Sequence, residues 1–93
     1  MRQNENFMLR CCADLTLLVP VGEAALRFPG MISVNEAGAF LWEALSRDQT
    51  PESLTELLTQ RFQVSPDRAA RDTEVFLDKL ARAGALADES RDG

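Results

Sequence analysis

The chain contains no histidine and no tyrosine, and it has only two cysteines. Histidine is the commonest general base and a frequent zinc ligand, and two cysteines do not complete a four-ligand zinc site. The sequence also has no glycine-rich phosphate loop and no serine in a nucleophile elbow. Its carboxylates are spread over predicted helix surfaces, so no acid/base pair stands out. We therefore predict a protein that is not an enzyme and that holds neither a cofactor nor a metal.

The two cysteines, Cys11 and Cys12, are adjacent in the sequence. Side chains of neighbouring residues on a strand point to opposite faces. A disulfide between them needs strained geometry, and a reducing compartment disfavours it. We interpret both as structural thiols, and a redox or metal role is the alternative.

Basic residues are in the minority, with ten Lys and Arg against fifteen Asp and Glu, for a net charge of −5. This balance gives no counterion-release drive toward nucleic acid and no attraction to an anionic membrane. No apolar run approaches the ~18 residues of a membrane span. The N-terminal stretch MRQNENFMLR lacks the apolar centre of a signal peptide. We expect a cytoplasmic protein with no nucleic-acid or membrane partner.

What the chain does have is enough apolar sequence for one core. Its 93 residues are 45% hydrophobic, which suits one domain over residues 1–93 and not two. We expect order over about residues 7–87 and frayed segments at 1–6 and 89–93, because the ends of domains are often poorly ordered.

The first third of the sequence reads as strands. Short apolar runs predict three strands, at residues 7–12, 15–20 and 31–34. A turn at Asp14 joins the first two as a hairpin. Between the second and third strands we expect irregular structure, with extended backbone at 24–28 ahead of a Pro-Gly turn at 29–30.

The remainder of the sequence reads as three helices, each of which begins after a capping residue. Asn35, Thr50 and Ser65 are the predicted N-caps, and Gly84 ends the third helix. We expect the first helix to run to about residue 46, with Trp42 off its apolar stripe and therefore marginal or partly exposed. Strands followed by helices predict an α+β fold with the outline of a winged helix.

Three stretches carry a family pattern: GMISVNEAGAFLWEAL, TPESLTELLTQRFQVS and RDTEVFLDKLARAGAL. In this order and spacing they resemble the coenzyme PQQ synthesis protein D family over about residues 7–87. The resemblance implies a small winged-helix-like domain of three N-terminal antiparallel strands followed by three helices. It also implies a stand-alone recognition element that binds the leader of a ribosomally made precursor peptide. Such an element presents the peptide to a modifying enzyme, such as a radical S-adenosylmethionine protein, a protease or a cyclase.

The resemblance also implies the peptide's place, added to the third strand and lying against the third helix. We expect eight contact residues: Met31, Ile32, Ser33, Val34, Arg68, Asp72, Val75 and Lys79. The strand carries no charge or proline, the residues that usually prevent an edge strand from pairing with another chain, so it suits strand addition. The alternative is an inner strand that is paired on both sides. On the helix, Val75 lies outside the core stripe among charged residues. This arrangement suits a groove, and the alternative is a solvated face with an Arg68–Asp72 pair. Arg27 would meet an acidic leader residue if it reaches the same edge.

Two other functions stay open on the residues alone. A DNA-binding winged helix would read DNA with its third helix, but residues 66–83 hold four basic and four acidic side chains, which disfavours a phosphate contact surface. A structural or regulatory subunit would bind an enzyme and no short peptide. A third possibility is a homodimer in which the free edge of the third strand pairs with the same edge of a second copy.

Overall fold

A computed structural model of the chain describes residues 1–27 and 30–87. Its sheet has three strands: β1 (Phe7–Cys12), β2 (Leu15–Pro20) and β3 (Ile32–Val34). All neighbours are antiparallel and the order is β1-β2-β3, so β2 is central and the other two strands are edges. The first two strands have the predicted bounds and form the predicted hairpin, whereas β3 begins one residue later than predicted and leaves Met31 outside.

The segment between β2 and β3 corrects one prediction. Extended backbone was expected at 24–28, but Ala24–Arg27 forms a single helical turn, α1. Its sequence, AALR, contains strong helix formers and no β-branched residue, so local propensity favours the turn. Phe28, and Pro29 of the predicted Pro-Gly turn, lie outside the described residues.

The three predicted helices are present as α2 (Glu36–Ala44), α3 (Pro51–Phe62) and α4 (Pro66–Ala83). Each predicted N-cap accepts a backbone hydrogen bond: Asn35 from Gly38, Thr50 from Ser53 and Ser65 from Arg68. Gly84 ends α4 in the left-handed conformation, with φ 78°. The first of these helices ends at Ala44, short of the predicted residue 46. The fold is thus α+β, three antiparallel strands followed by helices.

The core lies between the sheet and the three longer helices. It is built from leucines of β2, α2, α3 and α4, such as Leu18, Leu41, Leu58 and Leu80. Trp42 belongs to this core with 4% of its surface exposed, so the expectation of a marginal tryptophan is wrong. A single apolar stripe did not predict this burial, because α2 packs against both α3 and β3 and also meets the N-terminal segment.

Residues 1–6 differ from the expectation of a frayed end. The Gln3 amide donates to the Leu45 carbonyl at 2.9 Å, and the Asn4 amide donates to Ala85 at 2.8 Å. An antiparallel bridge joins Gln3 to Leu86. These bonds attach the N-terminal segment to the ends of α2 and α4, and residues 89–93 lie outside the described part of the chain. Within residues 1–27 and 30–87, no helix combines the length and apolar character needed to cross a membrane.

Candidate functional site

A groove of about 440 Å³ runs between β3 and α4, with the first turns of α2 at its base. On the sheet side it is bordered by Ser33, Val34 and Asn35. The N-cap bond of Asn35 fixes the point where β3 stops and α2 starts, because the Gly38 amide donates to the Asn35 Oδ1 at 2.8 Å. The edge of β3 and a face of α4 lie on opposite sides of one open channel.

The strand side of the groove is an edge. Within the described residues, β3 pairs with β2 alone, through Val34 opposite Thr16, Ser33 opposite Leu17 and Ile32 opposite Leu18. Ser33 is exposed, and its two strand neighbours are partly buried. The inner-strand alternative therefore does not describe this sheet. An edge strand leaves backbone N–H and C=O groups available on its outer side.

The helix side combines an apolar floor with charged walls. Val75 is 59% exposed although it is apolar, and it lines the groove together with Phe76 and with Leu41 of α2. Arg68, Arg71, Asp72 and Lys79 of α4 complete this wall. The exposed valine and the buried apolar side chains beside it form a small apolar surface that a bound partner would remove from water.

The charges of the groove differ in sign from those of the whole chain. Its lining has three cations and one anion, whereas the chain carries −5. The Arg68 Nε lies 3.5 Å from the Asp72 Oδ2, the i,i+4 pair considered from the sequence. Arg71 and Lys79 have no carboxylate within 4 Å in the part of the chain described here. The groove therefore presents two uncompensated positive charges.

Six of the eight predicted contact residues line this groove, namely Ser33, Val34, Arg68, Asp72, Val75 and Lys79. Met31 lies before β3 with 62% of its surface exposed, and Ile32 packs against the core; neither lines the groove. Arg27 ends α1 and is also absent from the lining.

Sequence reasoning missed several lining residues. Arg71 was the most accessible to prediction, because it lies four residues before Val75 and therefore on the same helix face. Asn35 was predicted only as a cap, and Gly38 and Phe76 only as parts of helices. These residues join the site through the packing of α2 on α4, which has no local signal.

A second groove, of about 930 Å³, lies between α3 and α4. It is bordered by helices alone and offers no strand edge. Its charged residues are mainly acidic: Glu52, Glu56, Asp67 and Glu74, with Arg71 at the border. The two sides of α4 thus differ in charge, positive toward β3 and negative toward α3.

The described residues offer no centre for a metal. No group of three or more His, Cys, Asp or Glu side chains among them is arranged to hold an ion. Cys11 is an exposed free thiol whose Sγ lies 3.8 Å from the Thr16 Oγ1. The groove offers a partner the backbone groups of an edge strand, an apolar floor and two cations.

Comparison with known proteins gives one family and one fold relative. The family model described as coenzyme PQQ synthesis protein D matches residues 17–86. Among solved structures, "TbiB1 in Complex with the TbiA(beta) Leader Peptide" matches with a TM-score of 0.72 and 19% identity, over 97% of this chain and 99% of that one. This likeness shows a shared fold. No curated protein sequence matches significantly.

Proposed function

Because the chain belongs to the coenzyme PQQ synthesis protein D family, we propose that it is a non-catalytic recognition element for the leader segment of a ribosomally made precursor peptide. The observation that carries this proposal is the groove between an edge strand and an α4 face with an exposed valine. The fold relative, which was solved with a leader peptide bound, supports the same kind of ligand.

The leader segment binds as a fourth strand on β3. Strand addition draws affinity from main-chain hydrogen bonds and selectivity from the side chains along the slot. Adjacent strands lie ~4.8 Å apart, so the added strand occupies the channel between β3 and α4. The proposed contacts are the residues named from the sequence, Met31, Ile32, Ser33, Val34, Arg68, Asp72, Val75 and Lys79, together with Arg71.

The chain then presents the bound peptide to a separate modifying enzyme in the cytoplasm. A radical S-adenosylmethionine protein, a protease or a cyclase would each fit this role. Binding the leader and the enzyme on one small protein raises the effective concentration of the peptide core at the active site. The gain requires no catalytic group on this chain.

Calorimetric titration with the leader peptides encoded beside its gene tests the proposal, with scrambled leaders as controls. We expect micromolar or tighter binding to one leader and none to its scrambled form. Binding to no leader would overturn the proposal. If the chain nevertheless bound a neighbouring modifying enzyme, it would be a structural subunit. Sizing the protein with and without peptide would reveal a homodimer that uses the same strand edge.

A further inference from the structure

The groove face of α4 carries a regular row of three side chains, Arg71, Val75 and Lys79. Residues four apart lie on one helix face. With a rise of 1.5 Å per residue, neighbouring members of the row are about 6 Å apart along the axis, and its ends are about 12 Å apart. The order along the row is cation, apolar, cation.

An extended peptide has nearly the same spacing. Side chains on one face of a strand recur every second residue, at about 6.6 Å. The groove follows α4 from Arg68 to Lys79, which is about three turns. A strand that lies along this length would therefore place three successive same-face side chains beside the three members of the row.

The charges of the row are available to a partner. Arg68 already has Asp72 as its ion-pair partner, whereas Arg71 and Lys79 have none among residues 1–27 and 30–87. Arg71 also borders the acidic groove, yet no carboxylate there comes within ion-pair distance of it. Acidic side chains on the bound peptide would supply what the chain lacks, and an apolar side chain would cover Val75.

We propose that the groove selects peptides with the pattern acidic–x–apolar–x–acidic, an inference about ligand sequence that rests on the proposed function. The two acidic side chains meet Arg71 and Lys79, and the apolar one meets Val75. The pattern reads the same in both directions, so it holds for a peptide strand of either orientation. Because the two cations are exposed to solvent, increasing salt weakens this selection.

A random library of twelve-residue peptides, displayed on their mRNA and selected on the immobilised full chain, tests the pattern without a known leader. We expect enriched peptides to carry two acidic residues four apart around an apolar residue. Enriched peptides without this pattern would overturn the inference and leave peptide binding intact. No enrichment of any peptide would overturn both.

A charge exchange then tests the pairing itself. An enriched peptide should bind the Lys79→Glu variant roughly tenfold more weakly. A peptide with Lys in place of one of its acidic residues should recover most of that loss with Lys79→Glu, and should bind the unchanged protein poorly. Arg10→Glu makes the same change of charge at an exposed position of β1, outside the groove, and should leave binding unchanged. Equal losses of affinity in Lys79→Glu and Arg10→Glu would overturn the pairing. So would a failure to recover affinity for Lys79→Glu with Lys at either acidic position of the peptide.

Discussion

Gly38 of α2 lies against the ring of Phe76 in α4, so closely that a Cβ on the glycine would be 3.1 Å from the Phe76 Cε1. The same Cβ would be 3.3 Å from the Asn35 Oδ1, which caps the helix. A glycine inside a helix costs about 1 kcal/mol relative to alanine. Here its missing side chain allows α2 and α4 to approach at the base of the groove.

Gly38→Val should therefore destabilise the protein. The added methyl groups press on a core ring and on the N-cap, and overpacking of this kind costs about 1–3 kcal/mol. Urea denaturation measures the free energy of unfolding. Ala39→Val makes a β-branched change at the next position of α2 and should cost less. Equal losses for the two variants would assign the effect to branching and not to the contact with Phe76.

Val75→Asp should weaken peptide binding at least tenfold while hardly changing stability. The valine is 59% exposed, so the fold gains little from it, whereas a carboxylate would remove the apolar contact and repel acidic peptides. Leu15→Asp is the matched control, an equally exposed apolar residue, at 57%, outside the groove. A Val75→Asp variant with unchanged affinity would remove this helix face from the binding site.

Peptide binding should protect backbone amides of β3 from hydrogen exchange. Strand addition gives new acceptors to the outward amides of Ile32–Val34, and at saturation their exchange should slow about tenfold or more. The other edge strand, Phe7–Cys12, serves as the internal comparison and should be unaffected. Protection of β1 with no change in β3 would place the peptide on the opposite edge of the sheet.

Asn35→Ala and Ser65→Ala should have similar effects on stability and different effects on binding. Each removes an N-cap bond, of 2.8 Å and 3.2 Å respectively, and a lost cap costs about 1 kcal/mol. Only Asn35 borders the groove, where it fixes the end of β3. Titration of both variants with one peptide should show weaker binding for Asn35→Ala alone, and equal affinities would limit Asn35 to a capping role.

Thr73→Val should leave stability unchanged or raise it by up to about 2 kcal/mol. The Thr73 side chain is 1% exposed, and its Oγ1 has no hydrogen-bond partner within the described structure. A buried hydroxyl without a partner carries a desolvation cost that an apolar group of the same shape avoids. Thr73→Ser keeps the hydroxyl, loses a methyl group and should be destabilising in thermal melts. A clear loss of stability in Thr73→Val would reveal a bonded hydroxyl.

The sequence predicted the helix starts and the β-hairpin, which depend on residues close to one another in the chain. Asn35, Thr50 and Ser65 each act on the amide three residues later, so the capping residue alone marks the helix start. The hairpin of β1 and β2 follows equally from two short apolar runs around a turn. The edge position of β3 agrees with its lack of charge and proline, although that signal alone did not exclude an inner strand.

The features that the sequence did not reveal depend on distant contacts. Trp42 is buried because α2 is covered on more than one side. Gln3 and Asn4 bond to residues more than 35 positions away, and nothing in their own neighbourhood predicts such partners. The place of Phe76 in the groove lining likewise depends on the position of β3 beside α4. Tertiary packing, and not propensity, decides each of these features.

If a peptide adds to β3 as proposed, the brevity of this strand limits how long the peptide stays bound. The strand has three residues, so an added peptide forms only a few backbone hydrogen bonds, each worth about 1 kcal/mol net. Differences in affinity between related complexes lie mostly in the dissociation rate. Under the proposed function, an edge this short favours short residence times, which would let a modified peptide leave and an unmodified one take its place.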